Sequence, residues 1–324
     1  MSNFSARNIF ANLKKEAKTL SLRTLRVYWT LVKIMVPVLI LVKILQSLGA
    51  IYYLSLALSP VMELVGLPGD MGVVWSSAIL VNIYTSMAVF FSIGMVEPLS
   101  VAQVTVLATM ILLAHGLPVE SAISKAAGLG WIYTLSLRVG GAFVLGLILH
   151  WSFSYFSMLQ EPSQVLWRPE PQDESLISWA ILQAQTLVLA FLIIACLVVM
   201  MRLLEYFKIE KLLHWLLTPF LKLLGIGKEA ANITVIGMVM GLSFGGGLLI
   251  EQAKSGKVSK RNIFLSMSLL CLCHSIIEDT LLVLLLGADL VGVLWARLIF
   301  SFIFVMMLSR MYFLIDKEKP SLNK

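Results

Sequence analysis

Within an almost unbroken apolar stretch, SMSLLCLCHSIIEDTLLVLLL at 266–286, stand His274, Glu278 and Asp279. A charged group at the centre of a membrane helix costs at least ~2.5–3.5 kcal/mol. Three ionisable groups are kept there only if they pair with one another or handle a polar ligand. A second apolar stretch, 101–128, carries a similar set in His115, Glu120 and Ser121. Imidazoles titrate near neutral pH and can couple transport to protons. Each histidine precedes its carboxylate by five residues, so the two share a face only if the helix is unwound between them. As metal ligands His115, Glu120, His274, Glu278 and Asp279 are chemically plausible, but no cysteine or further histidine supports a dedicated site, and no metal is assigned. Arg138 and Arg297, in the spans that follow, are candidate partners for these carboxylates.

The surrounding chain sets the medium. Of 324 residues 59% are hydrophobic, against roughly 45–50% in soluble domains, and the mean hydropathy is +0.91. Such a chain is an all-α polytopic membrane protein; no run shows the ~10-residue alternation of a barrel. The net charge of +7 sits in basic loops and needs no nucleic acid to explain it. Cys196, Cys271 and Cys273 lie in apolar runs and read as small buried hydrophobes.

Taken in order, residues 1–26 read as a basic amphipathic cytoplasmic helix. Residues 27–150 form a first unit: a span at 27–48, an interfacial stretch at 50–66, an apolar segment at 72–96 interrupted by Asn82, Tyr84, Thr85 and Ser86, the segment 101–128, and a span at 131–150. Gly116 and Pro118 break 101–128 at mid-depth, since proline removes a backbone donor. Residues 151–185 form an acidic connector. The same series returns over 186–310, with Ser243-Phe244-Gly245-Gly246-Gly247 interrupting 231–253, before a cytoplasmic tail at 311–324.

Adding 159 to a residue number carries one unit onto the other without a gap: Pro60 onto Pro219, Gly66 onto Gly225, His115 onto His274, Glu120 onto Asp279, Ser121 onto Thr280, Arg138 onto Arg297. Charge then selects the orientation. If 72–96 and 231–253 crossed fully, the basic loop 254–261 would lie opposite the basic stretch 202–228, against the positive-inside bias. If each is a re-entrant hairpin, both basic stretches and both termini are cytoplasmic. The two units are then inverted repeats, each a span, an interfacial helix, a re-entrant hairpin, a broken helix and a span, as in secondary transporters.

This order, with the glycine-rich Gly241-Leu242-Ser243-Phe244-Gly245-Gly246-Gly247 and the Glu278-Asp279-Thr280 break, resembles the concentrative nucleoside transporters, and among them the smaller bacterial nucleoside-recognition, or Gate-domain, membrane proteins. The resemblance covers roughly 27–310. It implies a bacterial inner membrane, and a solute held by hairpin tips and broken helices, with carboxylates on sugar hydroxyls. Carried over, it points at Asn82, Thr85, Ser86, Ser243, Gly245, Gly246, Gly247, Glu120, Glu278 and Asp279. Symmetry and the breaks add His115, Ser121, His274, Ser275 and Thr280. The expected function is secondary transport of a small polar solute, nucleoside-like in class, coupled to H+ or Na+, by a chain in contact with lipid and assembled as a homo-oligomer. A non-transporting ligand sensor or scaffold, and an ion or metal pathway, stand as alternatives. No nucleophile-plus-base arrangement suggests an enzyme.

Overall fold

In a computed structural model the chain is described at 47–93, 98–164, 175–256 and 258–317, and at scattered positions between 21 and 44. Those scattered residues are helical; most of the basic helix expected at 1–26, much of the span expected at 27–48, residues 165–174 of the acidic connector and the end of the tail lie outside the described residues. Among the described residues there is no strand.

The first unit contains α1 (Ala50–Leu64), α2 (Asp70–Leu80), α3 (Ile83–Ser92), α4 (Val101–Leu113), α5 (Leu117–Ala126) and α6 (Trp131–Tyr155, with a π-helical turn at Ser136–Gly140). The second contains α7 (Leu176–Tyr206), α8 (Ile209–Leu223), α9 (Lys228–Met240), α10 (Leu242–Ser255), α11 (Lys260–Leu272) and α12 (Glu278–Leu284), followed by α13 (Arg297–Lys317), which continues a π-helical stretch at Val291–Ala296. Among the described residues four segments are long and apolar enough to cross a membrane: Val101–Ala126, Trp131–Tyr155, Leu176–Met200 and Val291–Met311. The stretch 263–286 is unwound at 273–277, so α11 and α12 are separate helices. The connector is shorter than 151–185, because α6 runs to Tyr155 and α7 starts at Leu176. Cys196 is exposed on α7, not buried as its apolar surroundings suggested, while Cys271 and Cys273 are buried.

Local structure recurs at the 159-residue spacing more closely than residue identity does. Helices α1 and α8 start and end at equivalent residues, and so do α4 and α11. Four pairs of positions share left-handed backbone: Gly49 and Lys208, Gly66 and Gly225, Gly116 and Ser275, Gly128 and Gly287. Ser100 caps α4 by accepting from the Gln103 amide, and Ser259 caps α11 by accepting from the Asn262 amide. An amide five residues past its acceptor closes α1 (Leu67 to Met62) and α8 (Ile226 to Leu221) alike.

Helices α2 and α3 are joined through Val81-Asn82, and α9 and α10 through Gly241. None of the four reaches 20 residues, and 11 residues of helix rise only ~16 Å against a hydrocarbon core of ~30 Å. The Asn82 side chain accepts from the Thr85 amide and starts α3. The second pair folds back sharply: a Cβ on Gly245 would stand 2.3 Å from the Gly237 Cα. Gly247 faces open space. Gly245→Ala is therefore expected to force the α9–α10 backbones apart and to cost ~1–3 kcal/mol, whereas Gly247→Ala is neutral; thermal unfolding of the two variants in detergent measures the difference.

The two units interlock. Helix α5 packs on α10, where a Cβ on Gly246 would meet Ile123 Cγ2 at 2.6 Å. Reciprocally, α12 packs on α3. The Ser124 hydroxyl lies 3.3 Å from Cys271 Sγ, and Tyr133 and Ser268 share a hydrogen bond of 2.7 Å.

Candidate functional site

Both broken helices stop for the same local reason. At Ala114–Gly116 and at Cys273–Ile277 the backbone leaves the helix, through left-handed Gly116 (φ 57°) and left-handed Ser275 (φ 45°). A non-glycine residue in that region costs ~1–2 kcal/mol, and Ser275 is buried. Strain of this kind persists only where surrounding structure enforces it. The freed backbone groups are taken up by side chains and by the neighbouring turn. Arg138 Nε donates to the Leu113 carbonyl at 2.8 Å and Arg297 Nε to the equivalent Leu272 carbonyl at 3.3 Å. The Gly116 amide donates to Ala78 O, and the Ile276 amide to Met238 O, on the hairpins before each break.

The unwinding brings the two histidines face to face. Each Nδ1 hydrogen-bonds the carbonyl four residues back, His115 to Ile111 at 2.9 Å and His274 to Leu270 at 2.7 Å. A carbonyl only accepts, so both Nδ1 atoms carry hydrogen and both Nε2 atoms point inward. They stand 3.3 Å apart. Glu120 Oε1 lies 3.5 Å from His115 Nε2 and 3.3 Å from His274 Nε2; Asp279 Oδ2 lies 3.8 and 3.9 Å from the same atoms. His115, His274 and Asp279 are buried.

The two arginines part company. Arg138, 0% exposed, forms a close ion pair with Glu120 Oε2. Arg297, 1% exposed, turns instead to the carbonyls of Leu272 and His274, so its expected pairing with a carboxylate is replaced by bracing of the break. Glu278 accepts from the Tyr84 hydroxyl at 3.3 Å. Tyr84, on α3, was not among the expected site residues, although it sits between Asn82 and Thr85 in the interrupted run.

Of the remaining expected residues, Thr85, Ser86, Ser121 and Thr280 have buried hydroxyls without a hydrogen-bond partner in the protein. They stand at the start of α3 and beside the two cluster carboxylates. Gly245 and Gly246 serve helix contact, and the Ser243 side chain lies outside the described atoms. The site that forms is the pairing of the two broken helices, with the start of α3 reached through Tyr84 and Glu278.

Four long apolar helices, a buried charged cluster and an apolar exterior define a polytopic membrane protein. The chain is similar to the uncharacterized membrane protein YvoD of Bacillus subtilis (strain 168), with 28% identity over 301 residues, which cover 90% of this chain and 93% of that one. No family model matches, and no solved structure does.

Proposed function

We propose that the protein is a secondary transporter of a small polar solute, with the Gate-domain architecture its sequence resembles and its site at the meeting of the two broken helices. In this reading the units at 27–150 and 186–310 are inverted repeats, and α2–α3 and α9–α10 are hairpins that enter and leave the membrane on one side each. The observation that carries it is the convergence of His115, Glu120, His274 and Asp279, residues 159 apart in pairs, onto one buried cluster. A structural ion pair needs only Glu120 and Arg138. It leaves unexplained two histidines, a second carboxylate and four buried hydroxyls without partners. In a bilayer such groups are tolerated where ligand, water or protein satisfies them. The resemblance to concentrative nucleoside transporters makes nucleosides the first solutes to test, and the bacterial relative makes the cytoplasmic membrane of a bacterium the expected location.

Purified protein in liposomes should take up a radiolabelled solute from a panel of nucleosides and other small polar metabolites. Asp279→Asn is expected to lower that flux at least ~100-fold, since a coupled carboxylate cannot be replaced by a neutral amide. Flux through Asp279→Asn at the wild-type rate would remove the cluster from the transport path.

A further inference from the structure

The central cluster has the geometry of a ligand set for a cation heavier than a proton. Its two imidazoles are held by Nδ1 hydrogen bonds to the Ile111 and Leu270 carbonyls, the outer-shell arrangement that fixes a metal-binding tautomer. That leaves two Nε2 lone pairs 3.3 Å apart, a separation at which bare lone pairs repel. A carboxylate oxygen stands on each flank. Donors around a tetrahedral ion at metal–ligand distances of 2.0–2.2 Å lie about 3.3–3.6 Å from one another. The two imidazole nitrogens stand 3.3 Å apart, Asp279 Oδ2 lies 3.8 and 3.9 Å from them, and Glu120 Oε1 lies 3.5 and 3.3 Å from them. One donor atom each from His115, His274 and Asp279 lies within 4.8 Å of the others, and Glu120 Oε1 approaches the two imidazoles alone. Charge permits it: Glu120, Glu278 and Asp279 against Arg138 and Arg297 leave one net negative charge with neutral histidines. Arg138 occupies only Oε2 of Glu120, so Oε1 still faces the histidines.

We infer that His115 Nε2, His274 Nε2 and a carboxylate oxygen of Asp279 form a three-ligand binding site for one divalent transition-metal ion of the zinc type, with Glu120 Oε1 beside the imidazoles. Imidazole with carboxylate suits that class. The inference deepens the proposed solute site and rests on reading this cluster as a ligand site, but it requires no flux. The sequence assigned no metal because no cysteine or further histidine backs these residues; the fold brings both histidines and Asp279 within 4.8 Å of one another.

The full chain in detergent, stripped with a chelator and titrated with Zn2+ alone, tests it. One equivalent should bind. His115→Ala and His274→Ala should each weaken binding tenfold or more, while His214→Ala, on the exposed face of α8, should not. X-ray absorption of the wild-type Zn2+ form should count two imidazoles, which keeps the test decisive if the variants do not fold. Absence of binding, binding unchanged in both variants, or fewer than two imidazoles overturns the site and leaves the histidines sharing a proton. Zn2+ binding without flux keeps this inference and removes transport; flux in metal-free protein, with no Zn2+ bound, does the reverse.

Discussion

Arg138→Met is expected to be among the most destabilising single substitutions in the chain, at about 3–5 kcal/mol. The side chain is fully enclosed, and it does two things at once. Its Nε holds the carbonyl of Leu113, which the break after α4 leaves without a helical partner. Its Nη1 neutralises Glu120. Methionine fills much of the same volume, so the loss reads the charge and hydrogen bonds more than a cavity. In detergent the unfolding midpoint should fall by roughly 10 °C. Glu120→Gln should cost a similar amount, because it strands the guanidinium instead. The double variant should lose clearly less than the sum, since each single change leaves the other charge buried alone. Strict additivity would show that the pair is not coupled and that Glu120 is held chiefly by the histidines.

Arg297→Met supplies the internal comparison. It occupies the equivalent position and is equally enclosed, yet its bonds go to two carbonyls. Its removal breaks no close ion pair of the Glu120–Arg138 kind, so the cost should be smaller, about 1–3 kcal/mol. Equal losses at 138 and 297 would mean that bracing of the two breaks, common to both arginines, dominates, and that the ion pair adds little.

How much of this was legible before the structure differs from residue to residue. Where a break is written in proline and glycine, as at Gly116-Leu117-Pro118, or a position matches in both units, as His115 and His274 do, sequence reading found it. The opposite arm of the second break carries no proline, and Ser275 in left-handed backbone looks like any serine. Of the two adjacent carboxylates, the 159-residue correspondence of Glu120 with Asp279 singled out Asp279, but nothing local in the sequence gave the direction of Glu278. Glu278 and Asp279 begin a seven-residue helix after an unwound segment, and the rotation of that segment, not helical periodicity, sends Asp279 inward and Glu278 towards Tyr84. The arginines misled for a related reason. Charge complementarity suggests carboxylates for both, but an interrupted helix in a bilayer also presents carbonyls with no other donor, and Arg297 answers those. That the two histidines meet is a property of the fold, since residues 159 apart form no local motif.

Labelling of two equivalent exposed residues should give opposite answers. Glu63 on α1 and Lys222 on α8 are separated by the same 159 residues and both face outward. In a parallel duplication they would lie on one side of the membrane. In the inverted arrangement they lie on opposite sides, the acidic one outside and the basic one inside, as the positive-inside bias favours. Single cysteines at these positions, in a background where Cys196, Cys271 and Cys273 are replaced by alanine, report the side directly. An impermeant maleimide applied to intact cells should modify Glu63→Cys and spare Lys222→Cys; in inside-out vesicles the pattern should reverse. The physical reason is the basic charge around the second hairpin. Lys211, Lys222, Lys254, Lys260 and Arg261 all fall on α8, the end of α10 and the start of α11. At the equivalent places the first unit has Tyr52, Glu63, Met95, Val101 and Ala102. A short loop rich in lysine and arginine resists translocation, so the proposed arrangement has the second unit keep these ends inside and the first export its own. Modification of both cysteines from the same side would make α1 and α8 neighbours on one face. The two broken helices would then run in the same direction, and the inverted halves that underlie the proposed transport path would have to be abandoned.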